Sequence, residues 1–226
     1  MHGERARPDA WYAGPAFQML LVLMAFYLLS GFSDERGAAI HGLNALVLIA
    51  FLLGLRAFTR RRRVLWIGLG LGAVLVVSLA LAERLCDGFD YRWNTIAIMV
   101  FFLLVLGAMA KVVFQTEDVT TDKIFAAACV YMLMGICFGL VFMLIEQSYP
   151  GSFALSAADT TDLAGALVHF SFTALTTVGY GDIAALSSTT RSLADLEAML
   201  AQLFLAVVLA RLVSLQITRG APRPGS

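Results

Sequence analysis

Six apolar stretches, each close to the length of a bilayer crossing, limit what this chain can become. A spanning helix takes about 20 mostly apolar residues, and residues 13–30, 39–58, 64–82, 94–114, 124–144 and 192–215 fit that length. Only helices and closed barrels satisfy their backbone polar groups inside lipid, and unbroken stretches of this length read as helices. With 60% of 226 residues apolar and 14% charged, an ordinary soluble domain is excluded. The expected fold is an all-α membrane protein with six transmembrane helices. A seventh stretch, 162–175, is too short to cross and reads as a re-entrant helix, tolerable only where protein or water covers its broken end.

Loop charges orient this bundle, because Lys and Arg are retained on the cytoplasmic side. Arg56, Arg60, Arg61, Arg62 and Arg63 crowd the link between the second and third stretches, which places that link inside. The first outer loop carries Asp34, Glu35 and Arg36, and the next carries Glu83, Arg84, Asp87, Asp90 and Arg92, so neither has a basic excess. Both termini are then cytoplasmic, and the loop after the fifth helix lies outside. The start of the chain lacks a signal-peptide cleavage pattern, so the first helix is expected to be retained as an anchor, in the cell (inner) membrane. Of the cysteines Cys86, Cys129 and Cys137, only the first lies near an outer loop, and no disulfide framework or metal-ligand spacing emerges.

The short stretch runs directly into Thr176-Thr177-Val178-Gly179-Tyr180-Gly181-Asp182. Its two glycines accept backbone angles that turn successive carbonyls to one side of the strand. This run resembles the TVGYG filter of the pore-loop potassium channels, whose carbonyl oxygens replace the water shell of the ion. The likeness covers about 124–214 and is most specific at the filter. It implies a homotetramer in which Thr177, Val178, Gly179 and Tyr180 form stacked oxygen rings around K+, with Gly181 completing the run. K+ is then the permeant ion, and no cofactor or enzymatic step is expected. The implied division is a cytoplasmic segment 1–12, a four-helix sensor-like domain 13–114, a linker 115–123, a pore domain 124–216 (outer helix, re-entrant pore helix, filter, inner helix) and a short tail 217–226. About ten residues after the last helix are too few for a ligand-binding gating domain.

Several positions around the filter depart from the family pattern. In many relatives two adjacent pore-helix tryptophans brace the filter tyrosine and aspartate, and here those positions are His169 and Phe170. Phe170 cannot donate to the Tyr180 hydroxyl, so that brace is reduced to packing or passes to another group. His169 either donates to Asp182, making the filter sensitive to external pH in the histidine range, or is simply packed and neutral. Thr176 and Asp182 close the inner and outer ends of the filter. Glu146 stands where related channels carry an outer glutamate that accepts bonds from the loop after the filter; the alternative is a solvated charge at a helix end. Asp195 and Glu197 are ionisable groups within the last span, where they are costly unless paired or wetted. Glu197 should lie behind the pore helix, within reach of Ser171 or Thr173, as a regulatory carboxylate or as a plain structural hydrogen bond. Ala201 replaces a glycine hinge of many relatives, which places bending there in doubt. Ala201, Ala206 and Ala210 would permit close helix packing, and Gln202 faces either the cavity or a neighbouring helix.

Six crossings with the pore between the last two is the layout of voltage-gated channels, but 94–114 carries Lys111 as its only charge. Sensing needs several charges in the field, each worth about 2.3 kcal/mol per 100 mV. The first four helices therefore read as a degenerate sensor-like domain, with Gly68 and Gly72 at a packing spacing. Arg60, Arg61, Arg62 and Arg63 serve as the topology signal or also hold anionic lipid headgroups. Glu117, Asp118, Asp122 and Lys123 make the linker mostly acidic. Nothing in the chain suggests a nucleic-acid partner. The rivals to a potassium-selective pore are a non-selective cation channel and a non-conducting regulatory protein with the same fold; a multi-loop uptake subunit would need four filters in a longer chain.

Overall fold

The computed structural model describes residues 14–31, 91–115 and 121–220. The expected spans 39–58 and 64–82, the arginines 60–63, the Gly68/Gly72 pair, Cys86 and the end of the tail lie outside the described residues. The described elements are α1 (Pro15–Gly31), α2 (Tyr91–Gln115), α3 (Thr121–Ser148), β1 (Phe153–Ala154), α4 (Ala157–Thr161), α5 (Leu163–Leu175), β2 (Ala184–Ala185) and α6 (Ser188–Gly220). Among the described residues three helices are long and apolar enough to cross a membrane, at Arg92–Phe114, Thr121–Ser148 and Ser188–Arg211. The chain is accordingly mostly helical and membrane-embedded.

α3 is the centre of the packing. Half of its spanning window is buried, against 11% of that in α6, and its buried positions lie on all sides, among them Ala127, Leu133, Ile136, Gly139 and Phe142. α2 meets it along Phe101, Val105, Met109 and Val113, spaced every four residues so that one stripe is covered. α1 meets it through Ala16, Met19 and Leu23. Between lipid-solvated helices the hydrophobic effect gives little drive, so this close side-chain fit and the polar ties at the helix ends hold the bundle.

Those ties also fix direction. The Ala16 amide donates to Asp122 Oδ1 at 3.1 Å, and Tyr27 meets the Phe172 ring at 4.8 Å, so α1 runs parallel to α3. Thr95 Oγ1 donates to Gln147 Oε1 at 3.1 Å, which sets α2 antiparallel. At the other end of α2 the Arg211 guanidinium donates to the carbonyls of Val113 at 2.6 Å and Phe114 at 3.2 Å and lies 5.8 Å from the Phe114 ring centroid. A cation at a helix C-terminus satisfies orphan carbonyls and complements the dipole. The start of α3 and the inner part of α6 are thus both fastened at one end of the bundle.

The elements differ from the sequence expectation at their ends. α3 begins three residues before the expected 124 and continues to Ser148, and α2 ends at Gln115, so both reach into the expected 115–123 linker. Asp162 is not the first helical residue of the re-entrant helix but its N-cap, its carboxylate accepting from the Gly165 amide at 3.1 Å. The expected purely helical fold also gains a two-residue antiparallel pair, Phe153 opposite Ala185 and Ala154 opposite Ala184. Here the chain entering the pore helix and the chain leaving the loop run in opposite directions, and pairing satisfies backbone groups of both.

Gly135 and Gly139 of α3 form the seat of α5. A Cβ on Gly139 would come within 2.8 Å of the Val168 Cα, and one on Gly135 within 3.0 Å of the Phe172 ring. Gly139→Ala is expected to lower stability by about 1–3 kcal/mol through overpacking against backbone. Gly107→Ala in α2, where an added Cβ meets nothing within 4 Å, should be neutral or stabilising by up to about 1 kcal/mol. Thermal unfolding of the two detergent-solubilised variants against the parent measures this contrast.

Candidate functional site

The loop around α5 is built from local capping outward. Ser156 and Asp159 cap α4 reciprocally, with the Ser156 amide donating to Asp159 Oδ2 at 2.7 Å and the Asp159 amide to Ser156 Oγ at 3.2 Å. The bonds from Ser156 hold the Asp159 carboxyl below the usual carboxylate range. α5 then descends from its Asp162 cap for 13 residues and stops.

The last ordinary helical bond of α5 runs from the Thr176 amide to Phe172 O at 3.0 Å, and stopping there leaves the carbonyls of Thr173, Ala174 and Leu175 without i→i−4 partners. Each one is met. Thr173 O accepts from the Gly179 amide at 3.1 Å and Ala174 O from the Thr177 amide at 3.0 Å. Leu175 O accepts from the Tyr131 hydroxyl of α3 at 2.9 Å. Thr176 Oγ1 adds a second bond to Phe172 O at 2.6 Å. The chain therefore folds back sharply after Leu175, and its own amides hold it against the helix it has just left.

The returning segment has φ of 61° at Thr177, 55° at Gly179 and 79° at Gly181, with no positive φ at Val178 or Tyr180. Glycine takes such angles at no steric cost. Thr177 does not: a β-branched residue at positive φ costs about 1–2 kcal/mol. Val178 and Tyr180 are 53% and 72% exposed within the subunit, so this segment packs against little of its own chain on that side.

The supports around the segment are divided among several elements. His169 Nε2 lies 3.0 Å from Asp182 Oδ2, and its ring stacks on Tyr180 at 6.0 Å between centroids and 4° between planes. Partial burial raises the Asp182 carboxyl, but the bonds it accepts from the Ile183 amide and His169 outweigh this and leave it below its usual range. Phe170 belongs to a buried cluster with Phe142, Phe153, Leu167 and Ile183. It closes a triangle of edge-on rings with Phe142 at 5.3 Å and Phe153 at 5.2 Å, while Phe142 and Phe153 stand 5.5 Å apart. Its position is thus one of packing, between α3 and β1.

Glu146 corrects a sequence expectation. Its Oε1 accepts from the Gly151 amide at 2.7 Å and its Oε2 from the Phe153 amide at 3.1 Å. Both donors precede the pore helix, whereas the family resemblance implied donors after the filter. A carboxylate in the last turn of α3 is followed so closely by this loop that the nearest free amides are those of the loop itself. The segment after the filter is held one step further out, by the β1–β2 pair and by Leu186 N donating to Ser152 O at 2.8 Å.

Behind α5, Ser171 Oγ is hydrogen-bonded to Glu197 Oε1, while Asp195 is exposed. Ala201 is fully buried inside the subunit. Gln202 is exposed, and together with Thr177, Ala198, Met199 and Leu203 it lines a concavity of about 470 Å³ below the loop. His169, Tyr180 and Asp182 are therefore brought together, Thr176 and Thr177 are fastened to the end of α5, Glu146 and Phe170 support the approach to the helix, and Glu197 stands behind it. Tyr131 and the Gly135/Gly139 seat were not singled out in the sequence. The glycine spacing was a visible signal in an apolar helix, but Tyr131 carried none.

Residues 151–217 match an ion channel family model. The match spans α5, the loop after it and most of α6, a little under a third of the chain, and it makes this segment an ion channel domain, which supports passive ion conduction. No curated protein and no solved structure matches the chain.

Two outcomes follow from these contacts. Glu146→Gln replaces one of two accepting oxygens with an amide donor that faces a backbone N–H; it should cost about 1–3 kcal/mol in thermal unfolding. Asp182 has a lowered folded pKa, so its contribution is full above the ordinary carboxylate range and is lost as pH falls through the lowered value. The stability gap between the parent and Asp182→Asn should accordingly be widest near neutral pH and close as pH drops below about 4, as followed by thermal unfolding across that range.

Proposed function

We propose that the protein is a potassium-selective channel that assembles as a homotetramer and passes K+ down its gradient. The observation that carries this reading is the Thr177–Gly181 run at the end of a helix that stops inside the protein, with positive φ at every second residue. In an ordinary strand successive carbonyls face opposite ways. Alternating left- and right-handed residues lets them face one way, which is what a stack of oxygen rings requires. One subunit supplies one wall of such a stack, and the exposure of Val178, Tyr180 and the lipid- or neighbour-facing side of α6 suits assembly around a shared axis.

In this reading the concavity lined by Thr177 and Gln202 is one quarter of a water-filled vestibule, and the C-terminal end of α5 is the pole of a dipole that favours cations there. Conduction needs sites that bind well enough to dehydrate the ion and weakly enough to release it, which several adjacent oxygen rings provide. The alternation of α1, α2, α3 and α6 suits a multi-pass protein with both termini on the cytoplasmic side and the loop outside. α2 carries Arg92 at its start and Lys111 near its end and no ladder of charges between, so gating should depend little on voltage.

Reconstitution in liposomes and planar bilayers, with opposed K+ and Na+ gradients, tests the proposal. The reversal potential should lie near the potassium equilibrium value, with little voltage dependence, and Gly179→Ala should reduce the current because a side chain at its φ of 55° adds strain beside that already carried at Thr177. A reversal potential near zero would favour a non-selective cation pore instead. No current in any condition would favour a regulatory role.

A further inference from the structure

The hydroxyl of Ser171 has one proton and two oxygen partners at its back. Ser171 Oγ lies 2.7 Å from the carbonyl of Gly135, and it is also hydrogen-bonded to Glu197 Oε1. A carbonyl oxygen only accepts, and an ionised carboxylate only accepts. If Glu197 were ionised, the single serine proton could serve only one of them, and if it went to the carboxylate the Gly135 carbonyl would keep only its ordinary bond within α3. If Glu197 carries a proton, every bond is made: Glu197 donates to Ser171 Oγ, and Ser171 donates to Gly135 O.

The surroundings of the carboxyl point the same way. Glu197 is wholly buried within one subunit, so its neighbours are set before any assembly. Its second oxygen, Oε2, has no hydrogen-bond partner among the described residues. A carboxylate spreads its charge over both oxygens, and a buried anionic oxygen with no donor is far costlier than a neutral carbonyl oxygen in the same place. No described basic side chain forms an ion pair with it. Arg191, one turn and a half earlier on α6, is turned to the Ala185 carbonyl at 3.0 Å, and Arg211 is fastened to α2. From α3 the titratable group that faces it is Tyr131, whose hydroxyl is committed to Leu175 O. From α5 the facing polar groups are Ser171 and Thr173, and Thr173 Oγ1 donates to Phe170 O at 2.8 Å.

We infer that Glu197 is a neutral carboxylic acid that donates to Ser171 and, through it, joins the inner helix α6 to the pore helix α5 and the outer helix α3. It is a positioning residue. Ser171 lies two residues from Thr173, whose carbonyl holds the Gly179 amide, so the proton on Glu197 fixes the part of α5 that carries the filter. Loss of that proton would place an anion behind the loop and force Ser171 to turn away from Gly135. A pH-dependent release of the pore helix follows, with the intact state on the acid side. The protonation and wiring are independent of the channel reading above; only their effect on current rests on it.

Infrared spectroscopy of the reconstituted protein at neutral pH tests this without requiring conduction. The parent should show the carbonyl stretch of a protonated carboxylic acid, and Glu197→Gln should lack it. Asp195→Asn, at an exposed position on the same helix, should leave it in place. Ser171→Ala should keep the band but shift it, since the acid loses its acceptor; this variant decides the question if Glu197→Gln does not fold. Where current is measurable, the parent should lose it at alkaline pH, and Glu197→Gln, whose amide still donates, should be flat with pH. A folded parent without the band, or a band indifferent to Ser171→Ala, would overturn the assignment.

Discussion

A helix that ends inside a membrane protein must find partners for its last carbonyls, and here that requirement shapes the whole loop that follows. Two of the three partners are amides of the chain that follows, at Thr177 and Gly179, and the third is a hydroxyl from α3. Satisfying these groups obliges the chain to reverse at Leu175, and the reversal sets Thr177 at a positive φ that its side chain disfavours. The strain is retained because the bonds on either side over-determine the backbone. The loop geometry is thus a by-product of completing the helix end.

The seat of that helix is the second element of the design. Gly135 and Gly139 remove the side chains that would keep α5 away from α3, and the same close approach brings Ser171 Oγ to the Gly135 carbonyl. Packing and polar bonding coincide there, as they must where lipid offers neither a hydrophobic drive nor water to satisfy polar groups. At the outer end the same economy holds. Glu146 spends both oxygens on the loop before the helix, and the ring triangle of Phe142, Phe153 and Phe170 packs that loop down.

Much of this was legible in the sequence because its signals are local. The apolar stretches mark the spans, and the run from Thr176 to Asp182 marks the loop. The family resemblance led to the expectation of His169 beside Asp182 and of Glu197 within reach of Ser171 or Thr173, and the described contacts are His169 with Asp182 and Glu197 with Ser171. Three things were not legible. The ends of the helices depend on caps such as Asp162 and on fraying that composition does not encode. The partners of Glu146 depend on how tightly the following loop curls. The Phe170 ring shows the clearest gap: a residue known only by what it cannot donate gave no hint of the three-ring cluster, which needs Phe142 and Phe153 from elsewhere in the chain.

The described bonds that shape the loop lie within one chain, and in an assembly of several copies this would bear on inheritance in a mixed population of subunits. A subunit carries its own loop conformation, correct or faulty, into any assembly it joins. If four copies share one ion path, a single misfolded loop spoils a ring that the other three have built properly. Random mixing of equal numbers of sound and faulty copies would leave only about one assembly in sixteen free of the fault, a statistical consequence of fourfold closure. Defects in the seat or in the helix-end bonds would then behave as dominant traits, whereas changes confined to the lipid-facing residues of α2 would be diluted among normal partners.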